Sequence, residues 1–147
     1  MTSLGVGRRT VLNHIRVLVA DDHRAARRAA SLALAGHCEI VAETSRGDTV
    51  LALVQQVKPD VVLLDVSMPG LDGIEVARQL NRAGCDARVV MLSGHDDPEF
   101  VRASLEAGAL AYVVKPSLAS DLALAVEEVV KGNSFVSPAI SLGDAAM

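Results

Sequence analysis

The chain has no tryptophan, one tyrosine and two phenylalanines in 147 residues. A core with so few large rings must rest on Ala, Val and Leu, a mixture that suits helices stacked closely on a Val-rich sheet. Cysteine is almost as scarce. Cys38 and Cys85 stand alone in separate segments, with no Cys-x-x-Cys and no His at metal spacing, so they read as reduced thiols rather than a disulfide or a metal site. No apolar run approaches the roughly 20 residues needed to span a bilayer. Arg8 and Arg9 are followed by no apolar stretch, so no signal peptide is read at the start. The cytoplasm is the expected compartment, without membrane contact. Clustered positive charge is also missing: 14 Lys and Arg face 18 Asp and Glu, a net charge of −4. Nucleic-acid footprints gather Lys and Arg on one face, so direct nucleic-acid binding by this chain is not expected. The one basic cluster, Arg24, Arg27 and Arg28, follows two aspartates and offsets them.

What is present is the makeup of one globular domain, half apolar and 22% charged. The stretch from Val61 to Gly70 organises it. Val61, Val62, Leu63 and Leu64 read as a strand buried on both faces, and the run ends at Asp65 before Met68-Pro69-Gly70 stops any regular element. Around it, Ile15–Ala20, Glu39–Thr44, Arg88–Leu92 and Leu110–Val114 read as further strands. Helical spacing fills the intervals. Ala26, Ala29, Ala30, Ala33 and Leu34 run up to Gly36, with Asp21 or Asp22 as the cap. Val50, Leu51, Val54 and Val57 form the stripe of a helix opened by Thr44 or Ser45 and ended before Pro59. Ile74, Ala77 and Leu80 lead to Gly84, and Phe100, Val101 and Leu105 follow Pro98. The last helix starts at Ser117 or Ser120 and carries Leu122, Ala125, Val126 and Val129 to Gly132. Strict strand–helix alternation with short links predicts a doubly wound α/β fold with a five-stranded parallel sheet of order 2-1-3-4-5. Residues 1–14 read as an extension, 15–132 as the domain and 133–147 as a tail.

The strand ends then carry the chemistry. Asp21 and Asp22 follow strand one, Asp65 strand three, Ser93 strand four and Lys115 strand five. In that strand order the four strands are neighbours, so these side chains converge on one rim, where open α/β sheets keep their ligand crevice. Crowded carboxylates repel unless a cation joins them, and hard oxygen ligands suit Mg²⁺. With such a metal and Lys115 neutralising incoming oxygens, a carboxylate can attack phosphorus, and Ser93 can donate a hydroxyl to the group. The product would be an aspartyl phosphate. Other phosphate chemistries lack their parts: there is no Gly-x-x-x-x-Gly-Lys-Ser/Thr loop and no Gly-x-Gly-x-x-Gly after strand one. Ser67 stands where a haloacid-dehalogenase-type phosphatase needs a second acid, and Asp21-Asp22 where a flavodoxin needs a hydroxyl- and glycine-rich loop. Taken singly, each residue has a plainer reading. The aspartates could be caps, Ser93 a satisfied hydroxyl, Lys115 a snorkelling surface charge, and Tyr112 half-buried packing. His23 and His95 read as exposed and unliganded, and Met68 and Met91 as packing.

Four motifs carry a resemblance: Val19-Ala20-Asp21-Asp22-His23, Leu64 to Gly73, Met91-Leu92-Ser93-Gly94 and Tyr112-Val113-Val114-Lys115-Pro116. From Ile15 to about Pro138 the sequence resembles the receiver domains of two-component response regulators, a flavodoxin-like (βα)5 fold. Its start and the tail segment Gly132-Asn133-Ser134-Phe135-Val136-Ser137-Pro138 are most similar to the LuxR/NarL class. The resemblance implies that Asp65 is the phosphoacceptor. It also implies that Asp21, Asp22, Asp65 and the Ser67 backbone carbonyl hold Mg²⁺, and that Lys115 and Ser93 bind the phosphoryl group. Tyr112 would be the aromatic switch that rotates into space vacated by Ser93, Ser67 and His95 would tune phosphoryl lifetime, and Lys115–Pro116 would be cis. The implied donor is a histidine kinase or phosphotransfer protein, and the implied output face is made by the fourth helix, fifth strand and fifth helix, Asp97 to Lys131. That face would dimerise or dock a separate effector. Such a protein is not an enzyme in the usual sense, since it assists only its own phosphorylation and dephosphorylation. No segment here forms the helix-turn-helix domain of that class, so a stand-alone receiver and a fragment of a transcription regulator both stay open, beside a phosphorylation-independent binding module.

Overall fold

A computed structural model describes residues 14–140. All but the last residue of the expected extension 1–14, and the end of the expected tail, 141–147, lie outside the described residues. The strands are β1 (Ile15–Ala20), β2 (Cys38–Thr44), β3 (Val61–Asp65), β4 (Arg88–Ser93), β5 (Ala111–Val114) and β6 (Phe135–Val136). They form one sheet in the order β2-β1-β3-β4-β5-β6, with every pairing parallel. The helices are α1 (Arg24–Leu34), α2 (Val50–Val57), α3 (Gly73–Arg82), α4 (Pro98–Glu106) and α5 (Leu118–Val130).

Why β3 lies at the centre follows from its side chains: all five residues are buried. A strand feeds two cores because successive side chains point to opposite faces. Val61 and Leu63 join Val17, Val19, Val90 and Leu92 under α1 and α5. Val62 and Leu64 join Leu18, Ala20 and Met91 under α2, α3 and α4. Asp72 caps α3 by accepting from the Glu75 N–H at 2.9 Å, and Pro98 occupies the first turn of α4. Elsewhere the ends differ from expectation. Neither aspartate caps α1; its N-cap is His23, without a side-chain bond. A 3-10 turn at Gly47–Thr49 precedes α2, which starts only at Val50; Thr44 Oγ1 accepts from the Arg46 N–H at 3.2 Å, closing a turn ahead of the helix, and bonds the Thr49 hydroxyl at 2.6 Å.

Two larger corrections stand beside these. Among the described residues the five expected strands stand in the expected order, and a sixth joins their edge: Phe135 and Val136 pair with Ala111 and Tyr112. An edge strand leaves a row of unpaired backbone groups, and two extended residues suffice to fill part of it. The expected tail thus begins as sheet, and Ser137 and Ile140 after it are buried. Secondly, no cis peptide bond occurs among the described residues, so Lys115–Pro116 is trans. Pro116 sits in a 3-10 turn, Lys115–Ser117, whose φ the proline ring matches.

Gly73 illustrates how tightly the loop after β3 is folded. Its N–H donates to the Val66 carbonyl at 2.7 Å, and a Cβ at this position would collide with the backbone carbonyl of Asp65. Backbone cannot give way as a side-chain tip can. Gly73→Ala is expected to cost about 2–3 kcal/mol, at the upper end of overpacking penalties, measurable by urea denaturation.

Candidate functional site

The carboxyl ends of β1, β3, β4 and β5 meet at one rim. Register places Ala20 beside Leu64, Asp65 beside Leu92, and Ser93 beside Val114, so the residue following each strand joins its neighbours. Asp21 and Asp65 are 1% and 4% exposed, and Ser93 is buried. The Lys115 Nζ lies 3.0 Å from Asp21 Oδ2 and 3.3 Å from Asp65 Oδ2. One ammonium therefore holds two buried carboxylates, and more negative charge is present than it can neutralise. Burial, then the charge of Asp21, push the Asp65 carboxyl up to about 6, against the pull of Lys115 and the Ser67 N–H. For Lys115, burial works against the charged form, yet the bond to Asp21 and the charges of Asp65 and Asp21 outweigh it and raise the pKa.

Backbone donors orient these acids. Asp65 Oδ1 accepts from the Ser67 N–H at 3.3 Å, and Asp21 Oδ1 accepts from the His23 N–H at 2.9 Å. Asp22 is the exposed member, with its side chain one-third open. His23 is exposed as expected, but its ring leans over the acids: Nδ1 lies 3.1 Å from Asp22 Oδ1 and 3.3 Å from Asp21 Oδ1. Candidate ligand atoms of Asp21, Asp22, His23 and Asp65 all lie within 4.8 Å of one another. Three carboxylates around one opening, one-third of Asp22 facing water, fit a hard divalent cation that keeps several waters.

A second connected group lies beside the acids. The His95 N–H donates to Ser93 Oγ at 3.0 Å, and the Tyr112 hydroxyl donates to the His95 carbonyl at 2.7 Å. Tyr112 is fully buried, which pushes its hydroxyl pKa up. The ring expected to rotate inward is therefore already inside in this structure. The exposed His95 ring stacks on Phe100 with centroids 4.4 Å apart.

Some contacts are not legible in the sequence. Arg27 donates to the Asp21 carbonyl at 2.7 Å and to Glu43 Oε1 at 3.2 Å, tying the acidic turn to β2. Gly47 donates to the Pro69 carbonyl at 3.0 Å, and a Cβ there would strike the Leu71 carbonyl, so the loop after β2 seats against the loop bearing Ser67. The only signal in the sequence is a glycine in a short loop, which does not say what it approaches.

A metal held here should be measurable without any activity. Mg²⁺ binding only the folded chain stabilises it by about 2.7 kcal/mol at 100 times Kd. Asp22 lies at the open side of the cluster, away from the buried ion pairs of Lys115, so Asp22→Ala should fold normally and lose most of the Mg²⁺-dependent rise in melting temperature. An unchanged rise would place the metal elsewhere.

Comparison with known proteins adds an independent line. The sequence profile described as the response regulator receiver domain matches residues 17–127. The chain is 36% identical over 128 residues to the probable transcriptional regulatory protein NarL of Mycobacterium tuberculosis, covering 86% of this chain and 59% of that one. It is 34% identical over 131 residues to the transcriptional regulatory protein DegU of Brevibacillus brevis, covering 88% of this chain and 56% of that one. The chain thus spans somewhat over half the length of these curated relatives. Among solved structures, the signal receiver domain of the M. tuberculosis NarL aligns with a TM-score of 0.78 at 36% identity, over 82% of this chain and 99% of that one. A LuxR-family two-component response regulator from Aurantimonas aligns with a TM-score of 0.82 at 29% identity, over 89% of this chain and 95% of that one.

Proposed function

The chain belongs to the response regulator receiver family, and we propose that within it the protein is a phosphorylation-controlled signalling module whose acceptor is Asp65. The observation that carries this reading is the buried carboxylate at the end of the central strand, shared with Asp21 by a single ammonium. Asp65 attacks the phosphorus of a phosphohistidine on a histidine kinase or phosphotransfer protein. The P–O bond to the carboxylate forms, the P–N bond breaks, and the leaving imidazole takes its proton from water. A carboxyl with a pKa of about 6 is largely ionised at neutral pH, as a nucleophile must be. Lys115 offsets the charge of an incoming phosphoryl oxygen. Ser93 Oγ accepts from the His95 N–H and carries a hydroxyl proton that it can donate to another such oxygen.

Asp21, Asp22, Asp65 and the Ser67 backbone carbonyl would hold Mg²⁺, which when bound offsets the charge of the acids and of the phosphoryl oxygens. Ser67 and His95, two residues beyond the acceptor and beyond Ser93, would tune how long the group survives, both being exposed at the rim. The protein acts on no other substrate and assists only its own phosphorylation and hydrolysis, in the cytoplasm. Output passes through the α4–β5–α5 face to a second copy or a separate effector. The 59% share of the NarL relative favours a second reading, the regulatory part of a longer LuxR/NarL-type transcription regulator, with the same chemistry at Asp65.

Incubation with acetyl phosphate and Mg²⁺, followed by intact-mass measurement, tests the acceptor. One adduct of about 80 Da, the mass of a phosphoryl group, is expected in the wild type and none in Asp65→Asn. An adduct persisting in the variant would mean that another residue accepts the group.

A further inference from the structure

The edge of β5 is occupied by this chain's own C-terminal segment, and the occupation runs directly into the Ser93–His95–Tyr112 group. The Phe135 N–H donates to the Leu110 carbonyl at 3.1 Å, and the Ser137 N–H donates to the Tyr112 carbonyl at 2.9 Å. Ser137 Oγ then accepts from the Val114 N–H at 3.1 Å, standing in for the backbone carbonyl that a longer strand would have offered. Ser137 is 1% exposed, and Ile140, three residues on, is 7% exposed in the same core as Tyr112, Met91 and Val114. A polar hydroxyl at such depth costs free energy unless it is bonded, so Ser137 locks the segment in one register.

We infer that residues 135–140 are a docking segment whose seat on β5 is coupled to the phosphoryl site through Tyr112. This rests on the receiver reading. The route is short and continuous. Ser93 reaches for the phosphoryl group, its Oγ holds the His95 N–H, the His95 carbonyl holds the Tyr112 hydroxyl, and the Tyr112 and Val114 backbones hold Ser137. The inward Tyr112 and the docked segment occur together, each packed against the other's neighbours. A ligand that pins Ser93 inward favours that joint arrangement, and by linkage a docked segment must favour the ligand equally. Phosphorylation therefore tightens the segment rather than releasing it.

Amide exchange on the full chain, with and without beryllofluoride and Mg²⁺, measures both ends at once. Beryllofluoride, a phosphoryl mimic, is expected to slow exchange across residues 61–70 and to slow residues 135–140 about five-fold or more, the low end of measured couplings between sites. Ser137→Ala should exchange faster at 135–140 and lose that response, while 61–70 stays protected and beryllofluoride binds more weakly by the factor lost. Tyr112→Phe, which keeps the ring and removes the bond to His95, should keep the segment docked and blunt its response. Protection at 61–70 with no change at 135–140 would overturn the coupling alone. No protection at 61–70 would overturn the receiver reading, and the coupling with it.

Discussion

In metal-free buffer at pH 8, Asp65→Asn is expected to unfold at a higher temperature than the wild-type chain. Removing the carboxylate should stabilise the fold, because its charge is held where folding disfavours it. The carboxyl titrates near 6 in the folded chain against an ordinary value near 3.8. The folded state thus binds more protons than the unfolded one between about pH 4 and 6, and stability falls as pH rises through that window. Above it the full penalty is present. Each tenfold change in proton affinity corresponds to about 1.4 kcal/mol, and since Lys115 shares the site a gain of about 1–2 kcal/mol is expected for the amide. That is roughly 3–8 °C for a chain of this size. At pH 4.5 the gap should shrink, because the wild-type carboxyl is then protonated. Adding Mg²⁺ at pH 8 should close or reverse it. Thermal unfolding at two pH values, with and without the metal, is sufficient, and a variant less stable than wild type at pH 8 would contradict the charge balance described.

Lys115→Ala is expected to act in the opposite direction and more strongly. Its ammonium is the cation in contact with both Asp21 and Asp65, at 3.0 and 3.3 Å. Truncation leaves two buried carboxylates facing each other. Breaking a fully buried pair costs about 3–5 kcal/mol, and because the Lys115 side chain is 23% exposed a loss of about 2–3 kcal/mol is expected. The loss should be greatest at high pH, should shrink as Asp65 takes up a proton, and should be partly restored by Mg²⁺. In the Asp65→Asn background the Lys115→Ala loss should be smaller, since the two changes act on one cluster and one carboxylate is already gone. A loss of the same size in both backgrounds would mean that Lys115 stabilises the fold by packing alone.

Both effects come from residues visible in the sequence. Asp21, Asp65, Ser93 and Lys115 each follow a run of apolar residues, and strand alternation with right-handed crossovers leaves one strand order that brings those runs' ends together. What stays hidden depends on contacts with no local signature. Phe135-Val136 is too short to show a period of two, so β6 reads as tail. The lean of His23 over Asp22 comes from the turn between β1 and α1, not from ligand spacing. Arg27 reads as a counter-charge to the aspartates, and it does face them, but through the Asp21 carbonyl. Tyr112 stands out through the resemblance, whereas its burial and its bond to His95 are states of a fold, and no residue pattern encodes them.

The most direct measurement is where the phosphoryl group goes. After reaction with acetyl phosphate and Mg²⁺, borohydride reduces an aspartyl phosphate to homoserine, a permanent mark that peptide mass spectrometry can place. Conversion confined to Asp65, in the peptide spanning residues 61–73, is the predicted result. Conversion at Asp21, at Asp22 or nowhere, in a folded chain that binds Mg²⁺, would contradict it.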